Sequence, residues 1–237
     1  MNGYQQETSA WDKLTGTMAL SPTRAAVIKQ TYILFSVSVV CAMAGGYIGA
    51  TSPTLVNFFS GWMGWIAAIA ILNFVPRIAI AARHNPVLGV TALVFDGFFS
   101  GIALSPLLFY ASVVAPTMIL AAIGITGFVF LGVTTYIMTS GRTFSAPKGL
   151  MMGMFFTLIG AMILNSFMNI GVLGILISLG IGAMGVCSLV YSTSSVLGTP
   201  DADSPIPGAL MLFAGVFNIF VSALNLLLRL FGGGNRD

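Results

Sequence analysis

Charge is the scarcest commodity in this sequence. Only 6% of its 237 residues are Asp, Glu, Lys or Arg, against 57% that are hydrophobic. So few charges cannot solvate the surface of a water-soluble domain of this size. Histidine is nearly missing too, and its single occurrence, His84, stands beside Arg83 and before Asn85-Pro86 in a polar break. That placement reads as a solvated loop residue. It excludes an intramembrane serine protease, which would need a histidine beside a serine inside the bundle. An intramembrane aspartyl protease needs two facing aspartates, because one must hold a proton while the other accepts one. Only Asp96 falls inside an apolar run. No His, Cys and carboxylate residues cluster with metal-ligand spacing, and no cofactor motif survives scrutiny. The two cysteines, Cys41 and Cys187, also lie inside apolar runs and read as packing residues, not as a disulfide framework. The expectation is a protein that is not an enzyme and has no catalytic residue.

What the sequence has in abundance is long apolar runs, near 31–50, 58–76, 87–110, 114–139, 150–169, 172–198 and 208–231. Each is about 20 residues or more, enough at about 1.5 Å per residue to cross a hydrocarbon core of about 30 Å. Membrane β-strands would alternate apolar and polar residues over about ten positions, and these runs are continuous. The fold class expected is an all-α integral membrane protein, a seven-transmembrane-helix bundle. It divides into an N-terminal tail, 1–27, a membrane domain, 28–232, and a short C-terminal tail, 233–237. The polar first 30 residues contain no cleavable signal with an apolar centre, so the first span is expected to direct insertion. Ser21-Pro22 followed by TRAAVIKQTY reads as a helix start, an interfacial helix leading into that span.

Basic residues set the expected orientation. With seven spans, Lys13, Arg24, Lys29, Arg77, Arg83, Arg142 and Lys148 share the side of the N-terminus, and only Arg229 and Arg236 lie opposite. That bias places the N-terminus in the cytoplasm and the C-terminus on the far side. The net charge of +3 therefore needs no nucleic acid to explain it. Basic residues at helix ends orient the chain in the lipid bilayer and sit near anionic headgroups.

Several motifs inside the spans carry physical content. GIGAMG, 180–185, fits a dinucleotide fingerprint but lies in mid-span with no preceding strand. Its glycines read better as part of a ridge, Gly174, Ser178 and Gly182, that lets helices approach closely; Ser38, Ala42, Gly46 and Ala50 form a second. Asp96, in VFDGFFSGIALSPLLFY, is the strongest local signal, since a carboxylate deep in a span costs about 2.5 to 3.5 kcal/mol on insertion scales. It is a candidate cation or proton site, or a buried acid held by hydrogen bonds. In the last span Asn218, Ser222, Asn225 and Arg229 step by helical spacing into one stripe. Amides facing lipid would go unpaired, so the asparagines must face helices or water, while Arg229 can snorkel to the interface. Ser188, Tyr191, Ser192 and Ser195 share a face in the sixth span, and Asn165 and Asn169 lie one turn apart in the fifth. Such faces could converge on a narrow hydrated path or on a hydrogen-bonded core.

The seven spans, the closing FAGVFNIFVSALNLLLRLF, the segment TTYIMTSGRTFSAPKGLMMGMFFTLIGAMILNSF and GIALSPLL together resemble the Bax inhibitor-1 family, in particular its bacterial YccA-like branch. The resemblance covers about residues 28–232. It implies a bundle whose last helix is central, wrapped by the other six, and an inner-membrane location. It also implies two kinds of partner: calcium or another cation, through a pH-dependent leak, or a membrane protease of the FtsH type, which the YccA-like branch binds and restrains.

The leak-type members carry a pair of aspartates on the last two spans. Where they would stand, this sequence has YSTS and LFAGVFNIF, with Ser192 and Gly215 at the two acid positions. Two close carboxylates sense pH because they push one pKa upward, and neither serine nor glycine titrates. The missing pair tilts the resemblance toward the YccA-like branch. Two functions of different class follow: a binding modulator of a membrane protease, with the N-terminal tail bearing Tyr4 and Trp11 as a handle, or a cation leak with Asp96 as its acid. Asp201 and Asp203, in TPDADSPIP, read as a solvated turn, because two acids are too few to cage calcium.

Overall fold

A computed structural model describes residues 22–140, 144, 148–168, 170–198 and 204–232, all helix and connecting turns with no strand among the described residues. The helices are α1 (Pro22–Thr51), α2 (Pro53–Ser60), α3 (Trp62–Ala81), α4 (Pro86–Ala103), α5 (Ser105–Val114), α6 (Thr117–Ser140), α7 (Lys148–Met168), α8 (Gly171–Gly198) and α9 (Ile206–Phe231). Seven of them, α1, α3, α4, α6, α7, α8 and α9, are long and apolar enough to cross a membrane.

Three boundaries differ from expectation, each for a local reason. Helix α1 runs unbroken for 30 residues from Pro22, so the interfacial helix expected there is simply the first turns of the span. Proline at a helix's first position is preorganised for it, and no glycine or second proline interrupts the following turns. The second span begins at Trp62, not at residue 58, because a short helix, α2, intervenes. Ser52 caps it by accepting from Leu55 N at 3.5 Å, and the chain turns again at Gly61. The second span also runs through Pro76 to Ala81.

The third boundary is the break of the third span into α4 and α5 at Leu104. Pro106 has no N–H to give to the carbonyl of Ile102, and its ring crowds that oxygen. The hydroxyl of Ser105 donates to Ile102 O in its place. The chain therefore kinks within the bundle without leaving that carbonyl unmet.

Lipid tails are as apolar as leucine, so helices associate in a membrane through close packing and hydrogen bonds. Two contacts dominate. Helix α1 meets α4 with backbone nearly touching backbone. A Cβ on Gly97 would lie 2.5 Å from Ser38 O, and one on Gly101 would lie 2.6 Å from Gly46 N. Gly45 and Gly49 of α1 press in turn on Phe98 and Ile102. The expected ridge of Ser38, Ala42 and Gly46 thus lies on α4, with Gly45 and Gly49 completing it. The second contact joins α8 to α9.

Helix α9 is the most buried of the spans, and it packs against α8, α6, α1, α3, α4 and α5. It is central, as the resemblance implies, with one exception: among the described residues the fifth span, α7, packs on α8 and not closely on α9. Around its N-terminal half, Leu212, Phe213 and Ile219 join Phe35, Leu93 and Leu189 in one core cluster. Around its C-terminal half, Leu224 and Leu228 pack with Ala111 and Ala122 in a smaller one.

Candidate functional site

The polar stripe of α9 faces the small-residue ridge of α8. Gly185 lies against Asn218 and Ile219, Gly182 against Ser222, and Gly174 under the guanidinium of Arg229. Ser222 donates to the backbone oxygen of Ser178 at 2.6 Å, a hydrogen bond between helices. Two features that the sequence shows separately, a glycine ridge and a polar stripe, are therefore the two sides of one seam. Removing Cβ atoms from α8 makes room for polar side chains from α9. Those side chains in turn face protein and not lipid.

The remaining hydroxyls and amides turn mostly to their own helices. Asn225 Nδ2 donates to Val221 O at 3.0 Å, Ser178 to Gly174 O at 2.9 Å and Ser192 to Leu189 O at 3.1 Å. The face expected from Ser188, Tyr191, Ser192 and Ser195 is not uniformly buried. Ser192 is buried while Ser188, Tyr191 and Ser195 are half-buried, and the fully buried run is Ser192, Thr193 and Ser194. Consecutive residues point in different directions on a helix, so this end of α8 is enclosed on several sides. Ser194 accepts from the Phe144 N–H at 2.6 Å, which ties the segment between the fourth and fifth spans to α8. Asn165 lies on α7, half-buried, with its Oδ1 lacking a partner. Asn169, Asp201, Asp203, Arg142, Arg236 and the tail residues Tyr4, Trp11 and Lys13 lie outside the described residues.

Ser192 and Gly215, at the positions of the family's acid pair, flank Leu189. Ser192 donates to its carbonyl, and a Cβ on Gly215 would lie 2.9 Å from its nitrogen. The helices have closed on the space an acid at 215 would need.

Asp96 stands apart from this seam, on α4. It is 3% exposed, on a buried face with Leu93 and Ser100, and its Oδ1 has no hydrogen-bond partner. On the same helix Gly97 and Gly101 hold α1 close. A buried carboxyl without a partner is costly unless it is neutral or ligated. Among the described residues no group of three or more His, Cys, Asp or Glu could hold a metal. His84 lies in the turn before α4, exposed, where its Nε2 accepts from Arg83 Nε at 3.2 Å. Asn85 beside it caps α4, accepting from Val87 N and Leu88 N at 3.1 and 3.2 Å.

Three buried hydroxyls escaped the reading of the sequence. Tyr32 on α1, Thr134 on α6 and Thr193 on α8 each carry a buried oxygen without a well-formed hydrogen bond. Only Thr193 left a trace, as the middle of the hydroxyl run YSTSS.

The sequence that builds this seven-span bundle has relatives. The family model described as inhibitor of apoptosis-promoting Bax1 matches residues 24–236. The chain belongs to the Bax inhibitor-1 family. An uncharacterized membrane protein of Vibrio cholerae is 31% identical over 207 residues, covering 85% of this chain and 88% of that one. The Escherichia coli protein named modulator of FtsH protease YccA is 28% identical over 213 residues, covering 89% of this chain and 91% of YccA. An uncharacterized Campylobacter jejuni protein is 28% identical over 204 residues, covering 84% and 87%. Within the Bax inhibitor-1 family, then, this multi-pass membrane protein carries serine and glycine on the closed seam between its last two spans.

Proposed function

We propose that this Bax inhibitor-1 member is a non-catalytic modulator of membrane protein quality control, binding an FtsH-type protease in the bacterial inner membrane. The observation that carries this reading is its similarity to the YccA modulator over nearly the whole of both chains. The seam between α8 and α9 supports it, because Gly215 packed on Leu189 leaves no room for the acid pair of a leak. The proposed orientation has the N-terminus in the cytoplasm, as the basic residues favour, with the tail as a handle for the partner. The test is co-purification from membranes with a proteolytically dead FtsH-type protease as bait. Retention of the full chain, and loss of retention without residues 1–21, is the expected result; a bait that retains nothing overturns the reading. A reporter fused to the C-terminus checks the orientation, which fails if the reporter is cytoplasmic.

A second reading is favoured by one observation, the buried and unpartnered Oδ1 of Asp96. In it, Asp96 is the acidic group of a cation leak. Calcium and monovalent cation flux into proteoliposomes, compared between the parent and Asp96→Asn, decides between the two. Flux that Asp96→Asn abolishes establishes the leak, and flux no greater than that of empty liposomes removes it.

A further inference from the structure

Arg229 is the only basic residue between 149 and 232, and it sits in the last turn of α9. An arginine near the end of a span normally snorkels, its long stem sweeping through many rotamers. This one is held. Its Cζ and both terminal nitrogens occupy the space where Gly174 lacks a Cβ. The notch does not consume the cation, because the Gly174 carbonyl already accepts from Ser178. Among the described residues Arg229 makes no hydrogen bond and no ion pair.

The result is a planar guanidinium lodged against α8, with its donors free, in the last turn of a membrane-spanning helix. Around it, Leu230, Phe231 and, at the start of α8, Val172 expose their apolar side chains. The combination of a seated arginine and a flanking apolar surface fits one ligand chemistry: a phosphate joined to acyl chains. A guanidinium fork matches phosphate oxygens two at a time, which a lysine ammonium cannot do. A free anion would gain nothing from the neighbouring apolar side chains. The carbonyls ending α9 oppose an anion here and the first turn of α8 favours one, so the charge of Arg229 decides the balance.

We propose that the notch formed by Gly174 and Arg229 binds the phosphate of an anionic phospholipid, in the leaflet at the C-terminal end of α9. The lipid would tie α8 to α9 from the membrane side, where the seam between them meets the interface.

The test uses the full chain in mild detergent, stripped of lipid and titrated with phosphatidylglycerol, phosphatidylethanolamine or inorganic phosphate, with bound species read by native mass spectrometry. The parent should hold phosphatidylglycerol in preference to phosphatidylethanolamine. Arg229→Gln should bind it about tenfold more weakly, as expected for the loss of a charge-assisted contact. Gly174→Ala should also weaken binding, although it removes no charge, because its methyl displaces the guanidinium. Lys29→Gln, at the other end of the bundle, should bind as the parent does. If Arg229→Gln holds phosphatidylglycerol as well as the parent, or Lys29→Gln loses as much, the proposal falls. Displacement of the lipid by inorganic phosphate alone would make the ligand a free anion, and the lipid assignment would fall. Should Gly174→Ala fail to fold, Arg229→Gln and Lys29→Gln still decide.

Discussion

The two tight helix pairs of this bundle are built on opposite plans. Between α1 and α4 both helices contribute glycine, and what meets each missing Cβ is mainly backbone: Ser38 O, Ala42 O, Gly46 N and Phe98 O. Between α8 and α9 most glycines are on α8, and much of what they meet is side chain: Arg229, Ser222 and Asn218. Backbone cannot yield, whereas a side chain can rotate away at modest cost. The first contact is a fixed joint and the second is an adjustable one, cross-linked by the hydrogen bond from Ser222 to Ser178 O. A bundle with one rigid pair and one yielding pair concentrates any rearrangement of its last helix at the yielding side.

The contrast is broken most severely at Gly101. Gly101→Val would drive a branched side chain into Ala42 O and Gly46 N, neither of which can move without separating α1 from α4. Overpacking against backbone should cost about 3 kcal/mol or more, enough to abolish accumulation of folded protein. Size-exclusion profiles of a fluorescent fusion report it directly. Gly182→Ala, which meets the Ser222 side chain, should cost about 1 kcal/mol and leave a monodisperse protein. Equal losses from Gly182→Ala and Gly101→Ala would erase the distinction between the two joints.

Next in size is the attempt to restore the acid pair. Ser192→Asp with Gly215→Asp places one carboxyl against the Leu189 backbone and a second within a turn of it. Two acids without room or partners should destabilise the protein by about 2 to 3 kcal/mol, seen as a fall in thermal midpoint in detergent. A double variant as stable as the parent would mean that α8 and α9 part easily, and that the seam is looser than its glycines suggest.

How much of this was legible in the sequence follows from which signals are local. Span number, the apolar faces and the two small-residue ridges are periodic features of single helices, and they are read from spacing alone. The break at Leu104 was legible in principle, because Pro106 sits four residues after the carbonyl it crowds. Pro106, with Gly97 and Gly101, reads as loosening the helix there, but the apolar run spans a membrane either way, so spacing does not fix the point of the break. The pairing of ridge with stripe was not legible, because it depends on the register between two helices, and nothing within Gly174, Ser178 and Gly182 specifies Arg229 and Ser222 as their partners. The isolation of α7 was likewise invisible: its apolar content matches that of its neighbours, and only the packed bundle leaves it resting on α8. Thr193 went unnoticed because a hydroxyl can bond its own helix, so burial says nothing of whether it does.

The smallest effects sharpen the comparison, because they ask whether a polar group at each place contributes anything. Ser222→Ala removes the hydrogen bond that crosses the adjustable joint, and intramembrane bonds of this kind contribute about 0.6 kcal/mol, up to about 1.7. A small drop in thermal midpoint is expected. Thr193→Val is the counterpart at a hydroxyl that bonds nothing: the residue is 0% exposed and its Oγ1 lacks a partner. Valine has nearly the same shape, so the change removes an unsatisfied oxygen and leaves the packing intact. Replacing such a group by an apolar one of the same shape is neutral to stabilising. The thermal midpoint should therefore stay level or rise, opposite in sign to Ser222→Ala. A fall would mean that the Thr193 hydroxyl is bonded in the membrane, and that the enclosed end of α8 is held by polar contacts, as its seam with α9 is.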